Sequence, residues 1–173
     1  MATSLYDMSV PSFLQILGGV AGTLQKGADY YSENGLDLAD IVTTRLRDDM
    51  APFTFQINAI KHQSLGAIEG LQRGEFNPPP ALPELDYAGL QALVDDAIAG
   101  LESVQRETVD ALAGNAMYFR MGDFELPFTA ESFVLSFALP NFYFHATTAY
   151  DMLRIAGVPL GKMDFLGQMR LGN

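Results

Sequence analysis

Residues 129–157 read TAESFVLSFALPNFYFHATTAYDMLRIAG, and their spacing predicts a helix that starts with Thr129 as N-cap and runs to about Ala156. Pro140 interrupts it. Proline has no N–H, so the carbonyl of Ser136 loses its partner and a kink near the middle is expected. With Phe137 as the origin and about 100° per residue, Phe133, Phe144, Met152 and Ile155 fall within about 60° of one line, Asn141 near 40° and His145 near 80°. Two polar side chains four residues apart thus point into or beside an apolar stripe, the spacing at which adjacent turns converge on one ligand or one metal ion. Thr148 lies on the same face.

Three further amphipathic segments precede this helix. The first carries Phe13, Leu17, Val20, Leu24, Ala28 and Tyr31 at steps of three or four, with Ser9 as N-cap, Pro11 in the first turn and Asn34-Gly35 as the stop. Residues 36–49 are too short and charged for another full helix and predict one turn plus a connector. Met50 and Pro52 open the second, with Phe53, Ile57, Ile60, Ala67, Ile68 and Leu71 inward and an end near Gly74. The stretch 74–86, GEFNPPPALPELD, cannot be helical because successive prolines remove donors and restrict the residues before them. Asp86 caps the third, whose stripe of Leu90, Leu93, Val94, Ala97, Leu101, Val104, Thr108 and Leu112 predicts one helix up to Gly114-Asn115. Between Ala116 and Phe128 the period changes, and Met121, Gly122 and Asp123 mark the turn of a small hairpin. The tail after Gly157 keeps Val158, Leu160, Phe165 and Leu166 and is expected to pack back on the helices. The expectation is one domain over residues 1–173: an all-α four-helix bundle with a β-hairpin before helix 4 and a packed C-terminal tail.

Composition narrows function. The 173 residues hold no cysteine, which excludes disulfides, thiolate metal sites and cysteine nucleophiles, and only His62 and His145 offer imidazole. A net charge of -11 opposes binding to a phosphate backbone, so no nucleic acid partner is expected. No apolar run is long enough to span a membrane and the first residues lack a basic leader, so a cytoplasmic location without membrane partners is the expectation. Phosphate-loop, nucleophile-elbow and HExxH patterns are absent, and Gly18-Gly19 reads as a site of close helix packing. The pairs Asp48-Asp49 and Asp95-Asp96 read as solvated faces rather than acid and base.

On helix 2 the same count places Gln56 on the flank of the stripe, about 60° from Phe53, and His62 about 180° away, toward water. Gln56, Asn141, His145 and Thr148 are therefore the candidate ligand-binding set. Inward Asn, His and Thr are as often core groups satisfied by backbone carbonyls. As a metal set, His145 with the amides of Asn141 and Gln56 supplies no negative charge and little donor strength for zinc.

The run FALPNFYFHATTAYDMLRIAGVPLGKMDFLG (137–167), with SVPSFLQILGGV (9–20) and RLRDDMAPFTFQ (45–56), resembles an uncharacterised bacterial family within the DinB-like, or DinB/YfiT-like, superfamily. That resemblance implies a four-helix bundle. In several members three histidines bind a divalent metal, one from helix 2 and two spaced HxxxH in helix 4, and some members are thiol-dependent transferases or isomerases. On that pattern Asn141 takes the first position of the pair, His145 the second and Gln56 the place on helix 2, so one histidine of three remains. Relatives form dimers, and with 49% apolar residues this chain is expected to be a homodimer. Three functions follow as expectations: a bundle binding a small aromatic or thiol-containing molecule at a degenerate metal site; an enzyme holding nickel, zinc or iron weakly; or a structural homodimer with no small-molecule activity.

Overall fold

The computed structural model describes residues 3–81 and 83–172. The chain is mostly helical, with a small three-stranded sheet at one end.

Helix α1 spans Leu5–Glu33. Its N-cap is Ser4, not Ser9, because Ser4 and Asp7 form a reciprocal capping box one turn earlier. Ser9 is buried inside the helix and donates to the Leu5 carbonyl at 2.7 Å. Asn34 and Gly35 close α1 as expected, Gly35 with φ +65°. The connector holds the single short helix α2, Leu38–Thr43, capped by Asp37.

Helix α3 begins at Phe53 after Pro52 and comprises Phe53–Lys61, a π turn at His62–Gly66 and Ala67–Arg73, ending at left-handed Gly74. All six expected stripe residues are buried. The third expected helix is two. Helix α4, Tyr87–Glu102, is capped by Asp86, and α5, Arg106–Asp110, follows a break at 103–105. Ser103 bonds back to the Gly100 carbonyl and ends the first, and Val109, not Thr108, is the buried residue beyond the break. The start of α1 is clasped to α5: the Tyr6 N–H donates to Asp110 at 2.8 Å and Arg106 pairs with Asp7 at 2.7 Å, holding that carboxyl down at about 2.

The hairpin forms as read, β2 (Ala116–Met121) antiparallel to β3 (Phe124–Thr129), with Gly122 at φ +59° in its two-residue loop. A further strand, β1 (Glu75–Phe76), pairs in parallel with β2. Arg120 ties the three together through Glu75 and Glu125, both at 2.7 Å.

Helix α6 is Ala130–Phe133, a π turn at Val134–Ala138 and Leu139–Ile155, with Thr129 as N-cap. The chain answers Pro140 with this wide turn, in which the Leu139 N–H reaches the carbonyl of Val134. The extra residue turns the rest of α6 by about one helical step. Phe142, Ala146, Ala149 and Leu153 therefore line the core, whereas Phe144 and Ile155, expected inside, are 59% and 74% exposed.

Helices α1 and α3 each pack against both α4 and α6 around one core, where Phe13 meets Phe142 edge to face at 5.1 Å and Phe53 stacks on Tyr87 at 6.2 Å. The tail packs as expected. Val158 and Leu160 are buried, and a last helix α7, Lys162–Leu166, lies on α1. Gln15 donates to the Leu166 carbonyl at 3.0 Å and Lys26 pairs with Asp164 at 2.7 Å. Among the described residues no helix is long and apolar enough to cross a membrane.

Candidate functional site

The candidate residues come from α3 and α6, which pack side by side. Gln56 sits one turn into α3, where Phe53 and Ile57 anchor the helix in the core and carry Gln56 to the seam with α6. Its side chain is buried and its Nε2 donates to the carbonyl of Ala51 at 3.1 Å. A carbonyl can only accept, so this bond fixes the orientation of the amide and leaves Oε1 facing α6. There Oε1 meets His145 Nδ1 at 2.8 Å. An amide oxygen also only accepts, so Nδ1 must carry the proton and Nε2 must hold the lone pair.

His145 is half-buried between Phe55 and Phe144, whose rings meet it edge-on with centroids 5.8 and 5.2 Å away. Burial pushes its pKa below the ordinary imidazole value, which keeps the ring neutral at physiological pH. Among the described residues Nε2 has no hydrogen-bond partner, and it is not sealed from solvent. The product is a neutral imidazole of fixed tautomer with an available acceptor, suited to an N–H, O–H or S–H group of a ligand.

Asn141 and Thr148 do not join this pair. Asn141 Nδ2 donates to the Phe137 carbonyl at 2.7 Å and Thr148 Oγ1 to the Phe144 carbonyl at 2.7 Å, each satisfied one turn back on its own helix. The residues present do not fit a divalent metal. Gln56 Oε1 and His145 Nδ1 are bonded to each other, and among the described residues no carboxylate joins the remaining imidazole nitrogen in a metal-binding group. Among the described residues no group of three histidines or acids could hold an ion.

His62 does not face open water as its helical angle suggests. The proline-rich link folds back across that face, so His62 stacks on Phe76 with centroids 4.3 Å apart and donates from Nε2 to the Asn77 carbonyl at 2.7 Å. Sequence reasoning also passed over Asn58, which is buried and donates to the Pro80 carbonyl at 3.2 Å. A buried Asn beside a stripe facing a proline run was the available signal.

No curated protein matches the chain. A crystal structure of a DinB family member from Shewanella denitrificans matches with a TM-score of 0.81 and 24% identity, over 98% of this chain and 95% of that one, and shows a shared fold. The model of a family described only as a domain of unknown function, DUF1993, matches residues 5–166, and the protein belongs to that uncharacterised family.

Proposed function

We propose that this protein is a four-helix-bundle module that binds a small molecule at the seam between α3 and α6, with His145 as the group that recognises it. The observation that carries the proposal is the relay from the Ala51 carbonyl through Gln56 to His145. A buried amide spent on fixing one tautomer of one imidazole leaves a directed acceptor between two aromatic rings, and the exposed Phe144 supplies an apolar surface beside it. Such a site favours an aromatic molecule bearing a polar hydrogen, an aromatic thiol among them. Gln56 and Asn141 stand where metal-binding relatives are expected to place histidines, which makes this a metal site turned to direct hydrogen bonding. The same surface of α6 supports a homodimer, since Phe144 and Ile155 leave apolar area uncovered.

The test is a thermal melt with benzyl mercaptan, its methyl thioether and nickel chloride. The thiol is expected to stabilise the wild type saturably, by about 2.7 kcal/mol at 100 times its dissociation constant. The thioether, which has no S–H, and nickel should give no shift, and His145→Ala should abolish the thiol effect. Equal shifts by thiol and thioether, no shift by either, or a thiol shift that survives in His145→Ala would contradict the proposal.

A further inference from the structure

A separate groove of about 1090 Å³ lies between α2, the first turns of α3, the proline-rich link and the start of α4. Its walls are largely apolar, with Leu38, Val42, Phe55, Pro79, Leu85 and Tyr87 among them. That size lies just above the usual range of small-molecule sites, about 300–1,000 Å³. Three carboxylates, Asp37, Glu84 and Asp86, are the only charged residues among its described lining, and none of them takes part in an ion pair there. Asp37 and Asp86 each use one oxygen to cap a helix, accepting from Ala39 at 2.9 Å and Gly89 at 2.8 Å, and keep the other free of any hydrogen bond among the described residues.

A second observation points inward. Asn58 is 7% exposed and lines the groove; its Nδ2 is spent on the Pro80 carbonyl, while its Oδ1 has no donor among the described residues and remains open to solvent. Water reaches this oxygen, so an N–H of a molecule entering the groove can take the place of that water at little cost. The recess therefore offers an apolar bed, the acceptor of Asn58 inside and negative charge at the mouth, with no cation among its described lining to compete.

We infer that this groove binds a small organic amine, its apolar body against Leu38, Val42 and Phe55, its ammonium beside Asp37 and Asp86, and a donor of its body or ammonium on Asn58 Oδ1. The chain contains no tryptophan, so indole probes can be followed by their own fluorescence. Tryptamine, 3-ethylindole and indole-3-propionate are titrated at low salt against wild type, the double variant Asp37→Asn with Asp86→Asn, and Asp95→Asn. Asparagine caps helices as well as aspartate, so the double variant removes charge and keeps the fold. Asp95 lies on the exposed side of α4, outside the groove lining, and controls for general attraction to an acidic protein.

Tryptamine is expected to bind saturably and more tightly than the ethyl and propionate analogues, about tenfold more weakly to the double variant, and unchanged to Asp95→Asn. Equal binding of tryptamine and the propionate, unchanged binding in the double variant, an equal loss in Asp95→Asn, or no saturation in the millimolar range would overturn the assignment. Phe55 is common to the groove and to the His145 site, but neither Asp37 nor Asp86 hydrogen-bonds the Gln56–His145 pair, so the loss in the double variant reports the groove and the thiol melts report the imidazole.

Discussion

Phe142→Ala is expected to cost about 3–5 kcal/mol of stability, whereas Phe144→Ala, two residues on, should change it by less than about 0.5 kcal/mol. Phe142 is fully buried against Phe13, and removing its ring leaves a cavity that the surrounding helices can only partly close. Phe144 is 59% exposed and meets His145 by one edge. A plain α-helix counted from Phe137 gives the opposite order, because it places Phe144 on the buried line. Urea unfolding of the two variants therefore reads the π turn at Val134–Ala138 directly. Similar losses in both, or a larger loss in Phe144→Ala, would mean that α6 is not rotated as described.

The second large effect comes from adjacent glycines in α1. Gly19→Ala is expected to destabilise the protein by about 2–4 kcal/mol and to release the C-terminal segment, while Gly18→Ala should be neutral or add up to about 1 kcal/mol. A Cβ on Gly19 would lie 2.3 Å from the Phe165 carbonyl oxygen, a backbone atom, so α7 must move. A Cβ on Gly18 meets nothing within 4 Å, and alanine there gains helix propensity. Losing the contact should also break the Gln15–Leu166 hydrogen bond and the Lys26–Asp164 pair. Limited proteolysis checks the release: in Gly19→Ala, cleavage within residues 158–172 should become fast, and in Gly18→Ala it should stay as slow as in wild type.

What could be read in the sequence was whatever depends on local periodicity. The stripes of α1 and α3, the caps at Asp86 and Thr129 and the glycine turn at Gly122 all follow from neighbours a few residues apart. What could not be read depends on an inserted residue or on a distant partner. The π turns add a residue without any change in composition, so Phe144 and Ile155 were assigned to the wrong side. Two residues of a proline-rich link became β1 only because β2 lay alongside to pair with them. At the site, helical angles placed Gln56 and His145 each beside the apolar stripe of its own helix, and the fold sets the two against each other. Those angles could not show that Asn141 and Thr148 would turn back to their own helix, because i−4 carbonyls compete locally for every such donor.

The Gln56–His145 relay can be examined atom by atom in long-range 1H–15N spectra of the imidazole groups, recorded at pH 7 and titrated downward. His145 should appear as a single neutral tautomer, protonated on Nδ1 and bare on Nε2, with its titration midpoint below the ordinary imidazole value of 6.5 because burial disfavours the charged ring. In Gln56→Ala the two tautomers should mix. A wild-type ring protonated on Nε2, a mixture of tautomers, or a charged imidazolium at pH 7 would contradict the directed acceptor on which the proposed binding site rests.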